Sequence, residues 1–191
     1  LEQHREYQQL DLGFYTRFVQ KRLNRMEEEG FGRRFWSRDP TLWKRDPLVH
    51  DDIREFMGWL DVIEAMEKRI GEMETFVDEI KNAGFRHVLV MGMGGSSMTP
   101  LVFRNCFPSQ EKGLPLSVLD TTDPQTILEL EKNLPLAETL CIEASKSGTT
   151  AEPTAFSAYF FERLKEIKTD SAGAHFTAIT DPGTPLAARA E

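Results

Sequence analysis

Cysteine is scarce in this sequence: the 191 residues hold two, Cys106 and Cys141, on separate predicted elements and without the paired spacing of a zinc or redox site. Both are expected to be buried thiols. The four histidines, His4, His50, His87 and His175, are scattered with no ligand-like spacing, which predicts no metal site and a chemistry that needs no cofactor. Long apolar runs are missing too. Nothing approaches the roughly 18 residues of a bilayer span, and the charged opening from Leu1 to Arg5 lacks the apolar segment of a signal peptide. The expectation is a soluble cytoplasmic protein with no membrane partner. Basic residues are in deficit, 23 against 31 acidic ones, for a formal net charge of -8. That balance argues against nucleic acid, whose binding rests on basic surface that neutralises phosphates. It also means that the global field cannot capture an anionic ligand, so local donors such as helix N-termini must hold it.

Hydrophobic residues at 40% and charged ones at 28% are ordinary globular values, and the length suits one main core with a helical appendage. The appendage comes first. Leu12, Tyr15, Phe18, Val19, Leu23 and Met26, with Arg22 interrupting, form an apolar stripe at three- and four-residue steps and predict a helix ending near Gly30. From Phe31 to His50 no period is sustained and Pro40 and Pro47 intervene. This stretch is expected to be an ordered loop pinned by Trp36 and Trp43, with Arg33, Arg34 and Arg38 as a solvated face. Asp52 and Glu55 suit a helix start, and Ile53, Phe56, Met57, Leu60, Ile63 and Ile70 continue its stripe. Met73, Phe76, Val77 and Ile80 predict a further helix that stops at Gly84.

After Gly84 the period changes. Val88–Met91, Leu116–Leu119, Leu140–Ala144 and Phe176–Ile179 predict strands. They alternate with helices over Pro100–Cys106, Pro124–Lys132 and Ala151–Ile167, and a last helix begins at Pro185. Such alternation implies an α/β fold with a doubly wound parallel sheet, covered on both faces and carrying a helical N-terminal extension. The boundary is set at residues 1–84 for the helical segment and 85–191 for the sheet domain. A sheet that stops at Glu191 looks unfinished, and the expectation is a fragment of a longer protein.

In an open parallel sheet, ligands sit beyond the carboxyl ends of the strands. Two loops there are rich in donors. Gly92-Met93-Gly94-Gly95-Ser96-Ser97 lets the backbone approach a ligand closely and points the amides of a following helix at it. The alternative for this loop alone is a tight turn needing glycine for packing. Ser145-Lys146-Ser147-Gly148-Thr149-Thr150 packs four hydroxyls and one ammonium into six residues. A phosphate monoester offers acceptor oxygens and negative charge that such a ring satisfies without a metal, whereas helix capping accounts for only one hydroxyl. A nucleotide P-loop needs glycine before its lysine, and Ser145 stands there. A dinucleotide-binding domain is the nearer rival, since Gly92-Met93-Gly94 begins its fingerprint and Asp120 ends the second strand. Its third glycine, however, is Ser97. Glu152, at the start of the helix after the second loop, is a possible site-lining residue whose simpler role is interaction with the helix dipole. Asp120 and Asp123 suit turn and capping roles.

GMGGSS and SKSGTTAE, each following a strand, resemble the sugar isomerase (SIS) domain, a flavodoxin-like fold, and more narrowly the glucose-6-phosphate isomerase family. LDTTDP at Leu119–Pro124 and ITDPGTPLA at Ile179–Ala187 add to the likeness. SKSGTT departs at Gly148 from the common SKTFTT. It is similar instead to the isomerase half of bifunctional transaldolase/glucose-6-phosphate isomerases, as are FWSRDPTLWK and GFRHVLVMGMGGSS. The resemblance implies that Ser96, Ser145, Ser147 and Thr150 bind a sugar phosphate, with Gly95, Ser97, Lys146 and Thr149 lining the site. It further implies a homodimer and an enediol mechanism whose glutamate base, ring-opening histidine and arginine lie on later family segments. These residues are then a binding half with no catalytic residue of their own. A sensor module of the kind attached to transcription regulators would use the same loops. Residues 1–84, however, carry many acids and no helix-turn-helix.

Overall fold

Residues 11–107 and 113–191 are described by the structure, a computed structural model, and His4 lies outside them. The chain divides into two compact units at Met73 and Glu74.

In the first unit, α1 (Thr16–Glu28) ends where Gly30 takes a left-handed φ of 62°. The segment after it is not the loop that its irregular pattern suggests. It holds α2 (Phe31–Trp36) and two 3-10 turns, Pro40–Leu42 and Pro47–Val49. Each turn is opened by an Asp-Pro pair. The Asp39 and Asp46 carboxylates accept from the Thr41 and Leu48 amides at 2.9 and 3.0 Å, and the prolines stand where no amide donor is needed. Local capping thus builds helical turns without any hydrophobic period. Trp36 is exposed and meets its chain neighbour Phe35 edge-on at 5.7 Å, while Trp43 meets Phe31 edge-on at 6.2 Å. The arginines are not simply a solvated face: Arg34 donates to Asp39 at 2.7 Å, and Arg38 pairs with Asp61. The long stripe expected from Ile53 is likewise broken, into α3 (His50–Phe56), a 3-10 turn over Gly58–Asp61, and α4 (Val62–Glu67).

Helix α5 (Ile70–Asn82) closes as its glycine predicts. Gly84 has a φ of 95°, its amide donates to the Lys81 carbonyl, and the Phe85 amide donates to Ile80, the paired bonds of a Schellman end.

The second unit is built on four strands: β1 (His87–Gly92), β2 (Leu116–Leu119), β3 (Thr139–Ala144) and β4 (Phe176–Ile179). All pair in parallel, in the order β2-β1-β3-β4. The intervening helices are α6 (Gly95–Cys106), α7 (Pro124–Asn133) and α8 (Ala151–Ile167), with α9 (Pro185–Ala190) after β4. Leu89, Met91, Leu119 and Cys141 face α7 and α8 and close on Phe156, Phe160 and Leu164, all at most 2% exposed. Burying side chains such as Phe160 and Leu164 stabilises the unit by about 1.5–3 kcal/mol each. Helix α6 packs against β1 and β2. Cys141 belongs to this core, and burial pushes its thiol up to about 12. Cys106, expected to be buried, is exposed at the end of α6. Among the described residues, no helix is long and apolar enough to cross a membrane.

Candidate functional site

The strand order places a reversal at the centre of the sheet. From β1 the chain moves outward to β2, then crosses back past β1 to β3 and continues to β4. Loops leaving β1 and β3 therefore diverge from neighbouring strands, which is the position where open α/β sheets form a ligand crevice. The register is level as well: Gly92, the last residue of β1, pairs with Ala144, the last of β3. GMGGSS and SKSGTT thus begin side by side at the same carboxyl edge.

Gly92 is needed for that closeness. A Cβ there would lie 3.1 Å from the Ser96 Cβ and 3.2 Å from the Ala144 carbonyl oxygen. Gly94 then takes a φ of 59° and a ψ of -127° to lead into α6. At the first turn of that helix, Gly95 is exposed and Ser96 half-buried. Ser97 is buried at 2%, and its hydroxyl donates to the Gly94 carbonyl at 3.0 Å, so its part is to hold the loop's own shape.

In the second loop, Ser145 is buried at 3% and its amide donates to the Ile179 carbonyl at 3.0 Å, extending the β3–β4 pairing by one step. Its hydroxyl meets that of Thr150 at 3.0 Å. Thr150 stands at the N-cap of α8, yet its side chain makes no capping bond. Capping therefore does not account for this hydroxyl. Ser147 and Thr149 are exposed and bond to each other through their hydroxyls at 2.9 Å. Lys146 is exposed. Helix α8 offers its unpaired N-terminal amides beneath this cluster, and Pro153 fills a first-turn position with no donor to satisfy. Glu152 is half-buried in that first turn, a favourable place beside the helix's positive end. Asp123 caps α7, accepting from the Thr126 hydroxyl at 2.7 Å and amide at 2.8 Å, bonds that hold its carboxyl below the usual range.

One feature of the site escapes sequence reading. Gly148 has a φ of 64°, and a Cβ on it would lie 2.8 Å from the Thr184 Cβ and 2.9 Å from both the Cβ and the amide nitrogen of Leu186. The loop after β4 is packed directly against SKSGTT. Glycine at that point signals the left-handed turn, but the sequence carries no sign of its distant neighbour.

A cavity of about 520 Å³ lies elsewhere, between α8, β4 and α9, and none of the loop residues line it. Its walls include Phe161 and Phe176, and the buried Glu143 paired with Arg189. Thr154, Ser157 and Thr177 line it as well, but its Arg189 is already paired with Glu143, and that carboxylate makes the cavity a poor anion site.

The model of the family described as phosphoglucose isomerase matches residues 54–185. The chain belongs to the phosphoglucose isomerase family. Among curated relatives it is similar to the glucose-6-phosphate isomerases of two strains of Thermus thermophilus. One is 32% identical over 175 residues, 83% of this chain and 40% of the relative. The other is 33% identical over 141 residues, 71% of this chain and 32% of the relative. Among solved structures it resembles a hypothetical protein from Thermus thermophilus, with a TM-score of 0.66, 28% identity, and coverage of 92% of this chain and 40% of that one. The chain spans about a third to two fifths of the length of these relatives. Both loops and the switch between β1 and β3 fall within the family match.

Proposed function

We propose that GMGGSS and SKSGTT form one site for the phosphate of a hexose phosphate, in a cytoplasmic glucose-6-phosphate isomerase that interconverts glucose 6-phosphate and fructose 6-phosphate. In this reading residues 1–84 are a helical lead-in and 85–191 the sugar isomerase domain. Ser96, Ser145, Ser147 and Thr150 donate to the phosphate oxygens, while Gly95, Ser97, Lys146 and Thr149 shape the site.

The carrying observation is the level pairing of Gly92 with Ala144 across the switch point, which starts both loops at one crevice. Two helix N-termini and a set of hydroxyls then supply the local donors that a chain of net charge -8 needs for an anion. Family membership supports the sugar phosphate over a dinucleotide, because the curated relatives are glucose-6-phosphate isomerases.

Titrating glucose 6-phosphate, fructose 6-phosphate, free glucose and a nicotinamide dinucleotide tests the reading. The expected result is binding of the two phosphates alone, weakened in Ser96→Ala, Ser147→Ala and Thr150→Ala. Each lost charge-assisted hydrogen bond costs about 1.5–3 kcal/mol, tenfold or more in affinity. Dinucleotide binding without a response to sugar phosphate sinks the proposal. So does a set of alanine variants that lose thermal stability but keep wild-type affinity.

A further inference from the structure

The loop after β4 contains no residue assigned to the phosphate, yet it makes the most specific contacts with the loop that is. Lys146 and Ser147 are the two central residues of a turn closed by the Gly148 amide donating to the Ser145 carbonyl at 3.2 Å. The common forms of such a turn differ mainly in which way the central peptide faces. Here that peptide joins Lys146 to Ser147, and its carbonyl is gripped twice. The Asp181 amide donates to it at 3.2 Å, and the Thr180 hydroxyl at 3.3 Å. The grip continues backward. The Ala187 amide donates to the Thr184 hydroxyl at 3.1 Å, which meets the Thr180 hydroxyl at 2.8 Å. If Thr180 gives its single proton to Lys146, Thr184 must give its own to Thr180 and accept from Ala187. The hydroxyls then form one directed chain from the first turn of α9 to the phosphate loop.

A trans peptide holds its C=O and N–H on opposite sides, and the described residues contain no cis bond. With the Lys146 carbonyl turned toward Thr180 and Asp181, the Ser147 N–H is turned away from them, on the exposed side of the loop. A flipped peptide would present a carbonyl oxygen there and repel an anion. We infer that Thr180, backed by Thr184, is a positioning residue that holds the Lys146–Ser147 peptide in the orientation that presents the Ser147 amide as an anion donor. This rests on the phosphate reading above. The missing Cβ of Gly148 is part of the device, since it lets Thr184 and Leu186 close to within 2.8–2.9 Å of the Cβ position.

The test is a titration of the 191-residue chain with glucose 6-phosphate, followed by the amide NMR signals of Gly95, Ser147 and Thr150. Thr180→Val removes the donor and keeps the shape; Thr180→Ser keeps the donor. The expected result is an affinity at least about fivefold weaker in Thr180→Val, with the response of the Ser147 amide reduced at saturation while Gly95 and Thr150 still respond. Thr180→Ser restores both, and Thr184→Val, one link further back, shifts both in the same direction. The inference is overturned if Thr180→Val binds like wild type with a full Ser147 response while Thr150→Ala still loses affinity, an outcome that leaves the phosphate site standing. It is also overturned if Thr180→Ser fails as badly as Thr180→Val in both binding and melting temperature, which marks a packing role. A wild-type chain whose loop amides ignore the ligand removes the inference together with the phosphate reading.

Discussion

Replacing Gly148 with alanine tests the packing that shapes the second loop. Two costs combine there. At a φ of 64° an L-residue strains its backbone by about 1–2 kcal/mol. The new methyl would stand 2.8 Å from the Thr184 Cβ and 2.9 Å from the Leu186 backbone nitrogen, too close for any rotamer change to relieve, so α9 or the loop must shift. Overpacking of this kind costs about 1–3 kcal/mol, and the sum is about 2–5 kcal/mol against a typical total of about 5–15. For a unit of this size the melting temperature should fall by roughly 8–20 °C. Thermal unfolding followed by circular dichroism measures it, with Gly95→Ala as the control. Gly95 has no positive φ and open space around it, so alanine there should change stability by no more than about 1 kcal/mol. A Gly148→Ala protein that melts within about 3 °C of wild type would refute the close approach of the β4–α9 loop.

The two cysteines should differ in reactivity. At pH 8 a thiol reagent is expected to modify one group per native chain, Cys106, because burial holds Cys141 protonated with its value pushed up to about 12, and both in denaturant; two reactive thiols in the folded protein contradict the core described above. Asp123 gives a pH test. Its carboxyl is held below its unfolded value by the Thr126 bonds, so its stabilising contribution is present above the ordinary aspartate range and is lost as the pH falls through the folded value. Asp123→Asn keeps a capping oxygen that does not titrate and should lose less stability between about pH 5 and pH 2; an acid loss equal to that of wild type removes the assignment.

Much of the second unit is legible without coordinates. The strand ending at Ala144 and the helix at Ala151–Ile167 stand where periodicity puts them, because a strand buried on both faces needs a short apolar run and a helix needs its stripe. Gly84 ends α5 for a purely local reason. The first unit is harder. Asp39-Pro40 and Asp46-Pro47 build helical turns from capping bonds that leave no hydrophobic period, and the stripe from Ile53 to Ile70 hides a break at a 3-10 turn. Cys106 escaped because an apolar residue near a helix end is buried only if something lies over it.

For the candidate site, sequence determined the chemistry: which residues are hydroxyls, which glycines can bend, and that a chain of net charge -8 must hold an anion with local donors. Those properties belong to single residues and to short stretches. Only the tertiary structure decided that β1 and β3 are neighbours in level register. It alone brings Thr180 to the Lys146 carbonyl from 34 positions away in the chain, with Thr184 behind it. Strand order and loop-to-loop packing depend on which elements exclude water against one another, and no local pattern encodes that.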